Sequence, residues 1–103
     1  MMTRREILDA AKACVCGQRE EDYGTPEDNF GLIADLWGVY LRKKGCVSTY
    51  ILPEDVAAMM ALLKIARIAT GSKKADSWVD LAGYAACGGE IGVRNETAEN
   101  KTV

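Results

Sequence analysis

Residues 53–86, PEDVAAMMALLKIARIATGSKKADSWVDLAGYAA, decide the architecture of this 103-residue chain. Pro53 suits the first helical position, where its missing N–H is no loss, and Glu54 and Asp55 meet the positive end of the helix dipole. The helix they open runs to about Ala69 and stops before Thr70-Gly71. Val56 to Met60, Leu62, Leu63, Ile65, Ala66 and Ile68 make it apolar almost all round, the pattern of a central helix covered by neighbours on several sides. Gly71-Ser72-Lys73-Lys74 is a turn. A further helix starts near Ala75 or Asp76 and carries Trp78, Val79, Leu81, Ala82, Ala85 and Ala86. Two helices joined by so short a turn pack antiparallel.

Two more helices precede this hairpin. Thr3-Arg4-Arg5-Glu6 is a capping box, in which hydroxyl and carboxylate satisfy orphan amides. The apolar stripe Ile7, Leu8, Ala11, Cys14 and Val15 follows, until Gly17 weakens the helix. Thr25-Pro26-Glu27-Asp28 combines a cap, a proline at the first helical position and acids in the first turn. Its stripe is Phe30, Ile33, Leu36, Trp37, Tyr40 and Leu41, and Arg42-Lys43-Lys44-Gly45 ends it. Residues 45–51 form a connector rich in β-branched residues. Glycines at 83, 88 and 89 permit close packing but weaken the far end of the last helix. From Arg94 the chain reads RNETAENKTV, a polar tail expected to be disordered. The expected fold is all-α, an antiparallel bundle of about four helices, with one domain over residues 1–93 and a tail over 94–103. So short a chain cannot easily cover both an all-round apolar helix and its small-residue neighbour, so a homo-oligomer is expected.

Composition removes several functions. Thirteen Lys and Arg stand against 15 Asp and Glu, for a net charge of -2. That balance argues against a general nucleic-acid binder, which needs a basic surface. A hydrophobic content of 49% is too high for a disordered chain, and no apolar run is long enough to span a bilayer. The absence of histidine removes the Ser-His-Asp triad, the His-activated cysteine and every His-containing zinc site. Glu6 and Asp9 interrupt what would be the apolar core of a signal peptide, so a cytoplasmic location is expected. Cys14, Cys16, Cys46 and Cys87 contain no Cys-x-x-Cys pair and read as small buried apolar residues.

Three features carry candidate chemistry. Lys64 and Arg67 lie three residues apart inside the apolar helix and so near one face. Asp76, Asp80 and Tyr84 are spaced i, i+4, i+8 on the helix after the turn. Folding the hairpin brings Arg67 toward Asp76 and Lys64 toward Asp80, a groove of two cations and two carboxylates. Paired charges also let a bundle tolerate ionisable groups near its core, and Asp76 also suits a helix cap. The functional alternative has cations holding phosphate oxygens while Asp76 and Asp80 hold Mg²⁺ or ligand hydroxyls. The third feature is Gln18-Arg19-Glu20-Glu21-Asp22-Tyr23-Gly24. It reads either as a solvated acidic loop or as a ligand loop, with Arg19 for phosphate, acids for a cation and Tyr23 for stacking on a base. Asn29, just after the next cap, is either an exposed helix residue or a reader of a base edge. Trp37, Tyr40 and Trp78 sit on core stripes and read as packing.

These residues together resemble a family. Arg19…Tyr23-Gly24-x-Pro26-x-x-Asn29-Phe30, Leu63-Lys64-x-Ala66-Arg67 and Asp76-Ser77-x-x-Asp80-x-Ala82-Gly83-Tyr84-Ala85 look like a small family of uncharacterised phage and prophage proteins. The resemblance covers roughly residues 17–90, in order. The layout is similar to nucleotide-modification-associated phage domains and, more remotely, to the all-α nucleoside-triphosphate pyrophosphohydrolases of the MazG type. It implies a phage origin and a nucleotide-like ligand. Those enzymes gather four carboxylates round Mg²⁺ from Glu-x-x-Glu and Glu-x-x-Asp motifs, whereas here Lys64 and Arg67 stand on the helix that would supply two of them. A positive groove suits holding a phosphate more than activating a water against it. The leading expectation is therefore a phage protein that binds a nucleotide or cyclic-nucleotide-like phosphate ligand without turning it over, sequestration from host defence being one use. The alternatives are an Mg²⁺-dependent pyrophosphohydrolase and a protein that blocks a host factor.

Overall fold

The computed structural model describes residues 2–17, 25–46, 50–71 and 74–101, with side-chain burial described as far as residue 94. Four helices follow one another: α1 (Arg4–Cys16), α2 (Pro26–Lys43), α3 (Pro53–Ala69) and α4 (Ala75–Lys101). No strand occurs among the described residues, and the fold is an all-α bundle. Arg19 and Tyr23 lie outside the described residues.

Each helix starts where short-range chemistry directs it. The Thr3 hydroxyl accepts the Glu6 amide at 3.2 Å, and the Glu6 carboxylate accepts the Thr3 amide at 3.3 Å, completing the capping box of α1. The Thr25 hydroxyl accepts the Asp28 amide at 3.2 Å at the head of α2. At α3 the cap runs backwards. The Asp55 carboxylate accepts the Leu52 amide at 2.9 Å, with Pro53 in the first helical position. Such contacts depend only on residues three apart and are worth about 1 kcal/mol each. After α3 the chain turns at Gly71, whose φ of 114° lies where side chains are strained.

The helices pack around α3 and α4. These two share the largest interface, α1 lies on α4, and α2 lies on α3. Phe30 and Ala34 of α2, Val56 and Ala57 of α3 and Ile91 of α4 form the buried core. Val56 is wholly inaccessible. At Gly88 a Cβ would come within 2.7 Å of the Ala57 Cβ, closer than real side chains approach, so the α3–α4 contact here requires a glycine.

Four expectations need correction. α3 is not covered on all sides: Val56, Ala57 and Lys64 are buried, while Met59, Leu62, Leu63 and Ile65 are exposed. Trp78 and Tyr40, expected in the core, are 50% and 66% exposed. The core stripe of α2 is narrower than its apolar pattern and leaves Leu36 outside. Cys14, Cys16 and Cys46 are exposed rather than buried, Cys87 is half-buried, and none of the four forms a disulfide. α4 runs on to Lys101. Arg94 pairs with Glu90 on its own helix and with Glu27 of α2 at 2.8 Å.

Candidate functional site

A cavity of about 300 Å³ is bordered by residues from all four helices. Its size is at the lower end of the range for small-molecule pockets. α1 contributes Cys14 and Val15, and α2 contributes Pro26, Asn29, Phe30 and Ile33. The opposite walls are Met60 and Lys64 of α3 and Val79, Asp80, Gly83, Tyr84 and Cys87 of α4. Its lining mixes apolar with polar surface.

Lys64 dominates the electrostatics. It is buried, and its Nζ stands 2.9 Å from Asp80 Oδ2, with side-chain exposures of 11% and 38% for the two partners. The pair forms because α3 and α4 run antiparallel across a short turn, which sets the two residues at the same height. An ammonium has three donor hydrogens, and Asp80 takes one of them. One turn along α4 from Asp80, Tyr84 lies against the Phe30 ring, their centroids 6.1 Å apart and the planes tilted by 35°. Asn29, exposed at the start of α2, adds an amide that can both donate and accept. One small space therefore combines a paired cation, a carboxylate, an amide and two rings.

The structure thus brings Asn29, Lys64, Asp80 and Tyr84 to one cavity. It does not bring Arg67 and Asp76 there. Both are exposed, neither borders the cavity, and no ion pair joins them among the described residues. The cause is rotation rather than height. A step of three residues turns the side chain by about 60° around the helix, enough to move Arg67 off the face that carries Lys64. Phe30, Met60, Cys14 and Cys87 border the site without having been singled out for it. The spacing Asp80, Tyr84, Cys87 continues one face of α4, and that periodicity was the available signal for Cys87.

The described residues do not bring Asp76 and Asp80 to the cavity together, and Glu20, Glu21 and Asp22, which would complete an Mg²⁺ ligand set, lie outside them. Asp80 is engaged by Lys64, Asp76 is absent from the cavity wall, and no group of three acidic or thiol ligands is gathered among the described residues. No helix among those residues is long and apolar enough to cross a membrane.

Comparison with known proteins places relatives beside this geometry. A family model described as a domain of unknown function, DUF6378, matches residues 6–92. The Gene 55 protein of Mycobacterium phage L5 is 49% identical over 79 residues, which is 77% of this chain and 47% of that protein. The Gene 55 protein of Mycobacterium phage D29 is 42% identical over 81 residues, 79% of this chain and 50% of that protein. The chain spans about half the length of these curated relatives. No solved structure matches it.

Proposed function

This chain belongs to the DUF6378 family, and from that premise we propose that its four-helix cavity binds a nucleotide-like small molecule without turning it over. All residues bordering the cavity, from Cys14 to Cys87, fall within the matched stretch 6–92. The observation that carries the proposal is the Lys64–Asp80 pair at the wall of a cavity that also holds Asn29, Phe30 and Tyr84. Asp80 satisfies one ammonium hydrogen, and a phosphate or hydroxyl oxygen of the ligand takes another. The Phe30–Tyr84 pair offers aromatic surface to a base, and Asn29 offers a donor and an acceptor to its edge.

Arg19 and Tyr23 belong to the proposal on sequence grounds. In the sequence they fall between Val15 and Pro26, both of which border the cavity. In an infected cell's cytoplasm, a phage protein of this kind would hold a host signalling nucleotide out of reach of its receptor. Binding without turnover is favoured because Asp80 faces a lysine where the pyrophosphohydrolases need further carboxylates.

The test is a thermal-shift panel of nucleoside phosphates and cyclic dinucleotides, with and without Mg²⁺, followed by chromatography of the ligand. Ligand at a hundred times its Kd stabilises the native state by about 2.7 kcal/mol, which raises Tm by roughly 10–20 °C. One ligand class should give such a shift and be recovered intact. Asn29→Ala should reduce it without changing the unliganded Tm, because Asn29 is exposed. Mg²⁺-dependent release of pyrophosphate would replace binding with hydrolysis as the function. No shift with any nucleotide would remove the ligand class altogether.

A further inference from the structure

Size and charge narrow what the four-helix cavity can hold. Its volume is about 300 Å³. At the packing density of a protein interior, about 0.75, that space takes about 225 Å³ of ligand atoms. This is close to the bulk of one nucleoside, a base with its sugar, and far short of a dinucleotide. Charge is the sharper constraint. Among the described residues bordering the cavity, Lys64 is the only basic one and Asp80 the only acidic one, and they stand 2.9 Å apart. The wall therefore carries no net charge. A phosphate entering it would leave water for a site whose cation is already neutralised, and would meet the Asp80 carboxylate as a like charge.

A hydroxyl meets the same pair on better terms, because it donates and accepts at once. Its hydrogen goes to the second oxygen of Asp80, whose side chain is partly exposed, and its oxygen takes one of the ammonium hydrogens that Asp80 leaves over. An ionised phosphate offers acceptors alone, so it answers Lys64 and is repelled by Asp80. Resting on the nucleotide-binding reading above, we propose that the cavity holds the uncharged nucleoside part of the ligand. A ring hydroxyl of the sugar lies on the Lys64–Asp80 pair, the base lies against Phe30 and Tyr84, and phosphate stays outside. Spacing along α4 supports this placement. Asp80 and Tyr84 are four residues apart, about 6 Å along the helix, a span that a sugar and its attached base cover. The Phe30 and Tyr84 rings, with centroids 6.1 Å apart, supply the apolar surface for the base. Asp80 is then the residue that distinguishes a ribose from a deoxyribose.

Calorimetric titration of the full chain with ribonucleosides, their 2′-deoxy and 3′-deoxy counterparts and their 5′-monophosphates tests the assignment. At least one ribonucleoside should bind with no phosphate attached. Removing the hydroxyl that faces the pair should weaken it about tenfold to a hundredfold, the effect of one bond to a charged partner. Asp80→Asn should shrink that preference to about threefold or less, because a neutral amide holds a hydroxyl less strongly. Lys64→Met reads the same geometry in a variant that strands no buried ammonium. It should weaken the nucleoside and its 5′-monophosphate by the same factor, whereas a lysine bound to phosphate would make the loss about tenfold greater for the monophosphate. Three results each overturn this placement while leaving the proposed function standing. They are a nucleotide that binds when its nucleoside does not, both deoxy counterparts binding as tightly as the ribonucleoside, and a Lys64→Met loss concentrated on the monophosphate. Absence of binding by nucleosides and nucleotides alike overturns both.

Discussion

Asp80→Ala should destabilise the protein by about 2 kcal/mol, whereas Lys64→Met should cost about 1 kcal/mol or less. The asymmetry comes from the difference in exposure of the two partners. Stranding one member of a fully buried ion pair costs about 3–5 kcal/mol. The Lys64 side chain is 11% exposed, so without Asp80 its ammonium has little access to water. Asp80 is 38% exposed, which lets water screen the pair and reduces the full penalty by about half. In the reverse substitution, methionine keeps an unbranched chain of similar reach among Met60 and Val79 and adds no charge. The Asp80 carboxylate left behind retains water on its exposed side. In a domain of this size, 2 kcal/mol corresponds to a fall in Tm of roughly 8–16 °C. Urea unfolding followed by circular dichroism, with the double variant completing a cycle, should give a coupling of about 1–2 kcal/mol. If Lys64→Met costs as much as Asp80→Ala, Lys64 is hydrated in the native state and the cavity has no desolvated cation. If neither substitution moves the midpoint, the α3–α4 register is wrong.

Gly88→Ala should cost about 1–3 kcal/mol by chemical denaturation, because its Cβ would lie 2.7 Å from that of Ala57. Gly89→Ala, with open space around the new Cβ, should instead stabilise by about 0.5–1 kcal/mol; a loss there would place Gly89 in a contact. Thr25→Ala removes the bond from the Asp28 amide and should cost about 1 kcal/mol, readable as a drop of a few degrees in Tm. For a nucleotide identified by the thermal-shift panel, calorimetric titration should show Arg19→Ala and Tyr23→Ala each weakening affinity by about 1–3 kcal/mol. The Arg19 effect should shrink in high salt while the Tyr23 effect should not, and wild-type affinity in both variants would remove that segment from the site.

The helices and their starting points are legible in the sequence because the interactions that set them are local. Thr3 with Glu6, Thr25 with Asp28 and Asp55 with Leu52 are contacts across three residues, written in the order of the chain itself. The Lys64–Asp80 pair is legible for a related reason: a short turn fixes the relative height of two antiparallel helices, and these residues are equally distant from it. Height, however, is only one of two coordinates. Lys64 with Asp80 and Arg67 with Asp76 have nearly the same axial register, yet only the first pair meets, because the rotation of each helix about its axis is set by packing against its neighbours. Gly88 against Ala57, α1 lying on α4 and α2 lying on α3 determine that rotation, and all three are contacts between residues distant in the chain. The same packing decides which apolar residues become core. Phe30 and Val56 are buried while Leu36, Leu62 and Trp78 remain exposed, although each lies on an apolar pattern. Hydrophobic periodicity records that a face is meant to be covered. Whether that cover comes from the same chain is a property of the tertiary structure, because it depends on how many helices are available to surround each face.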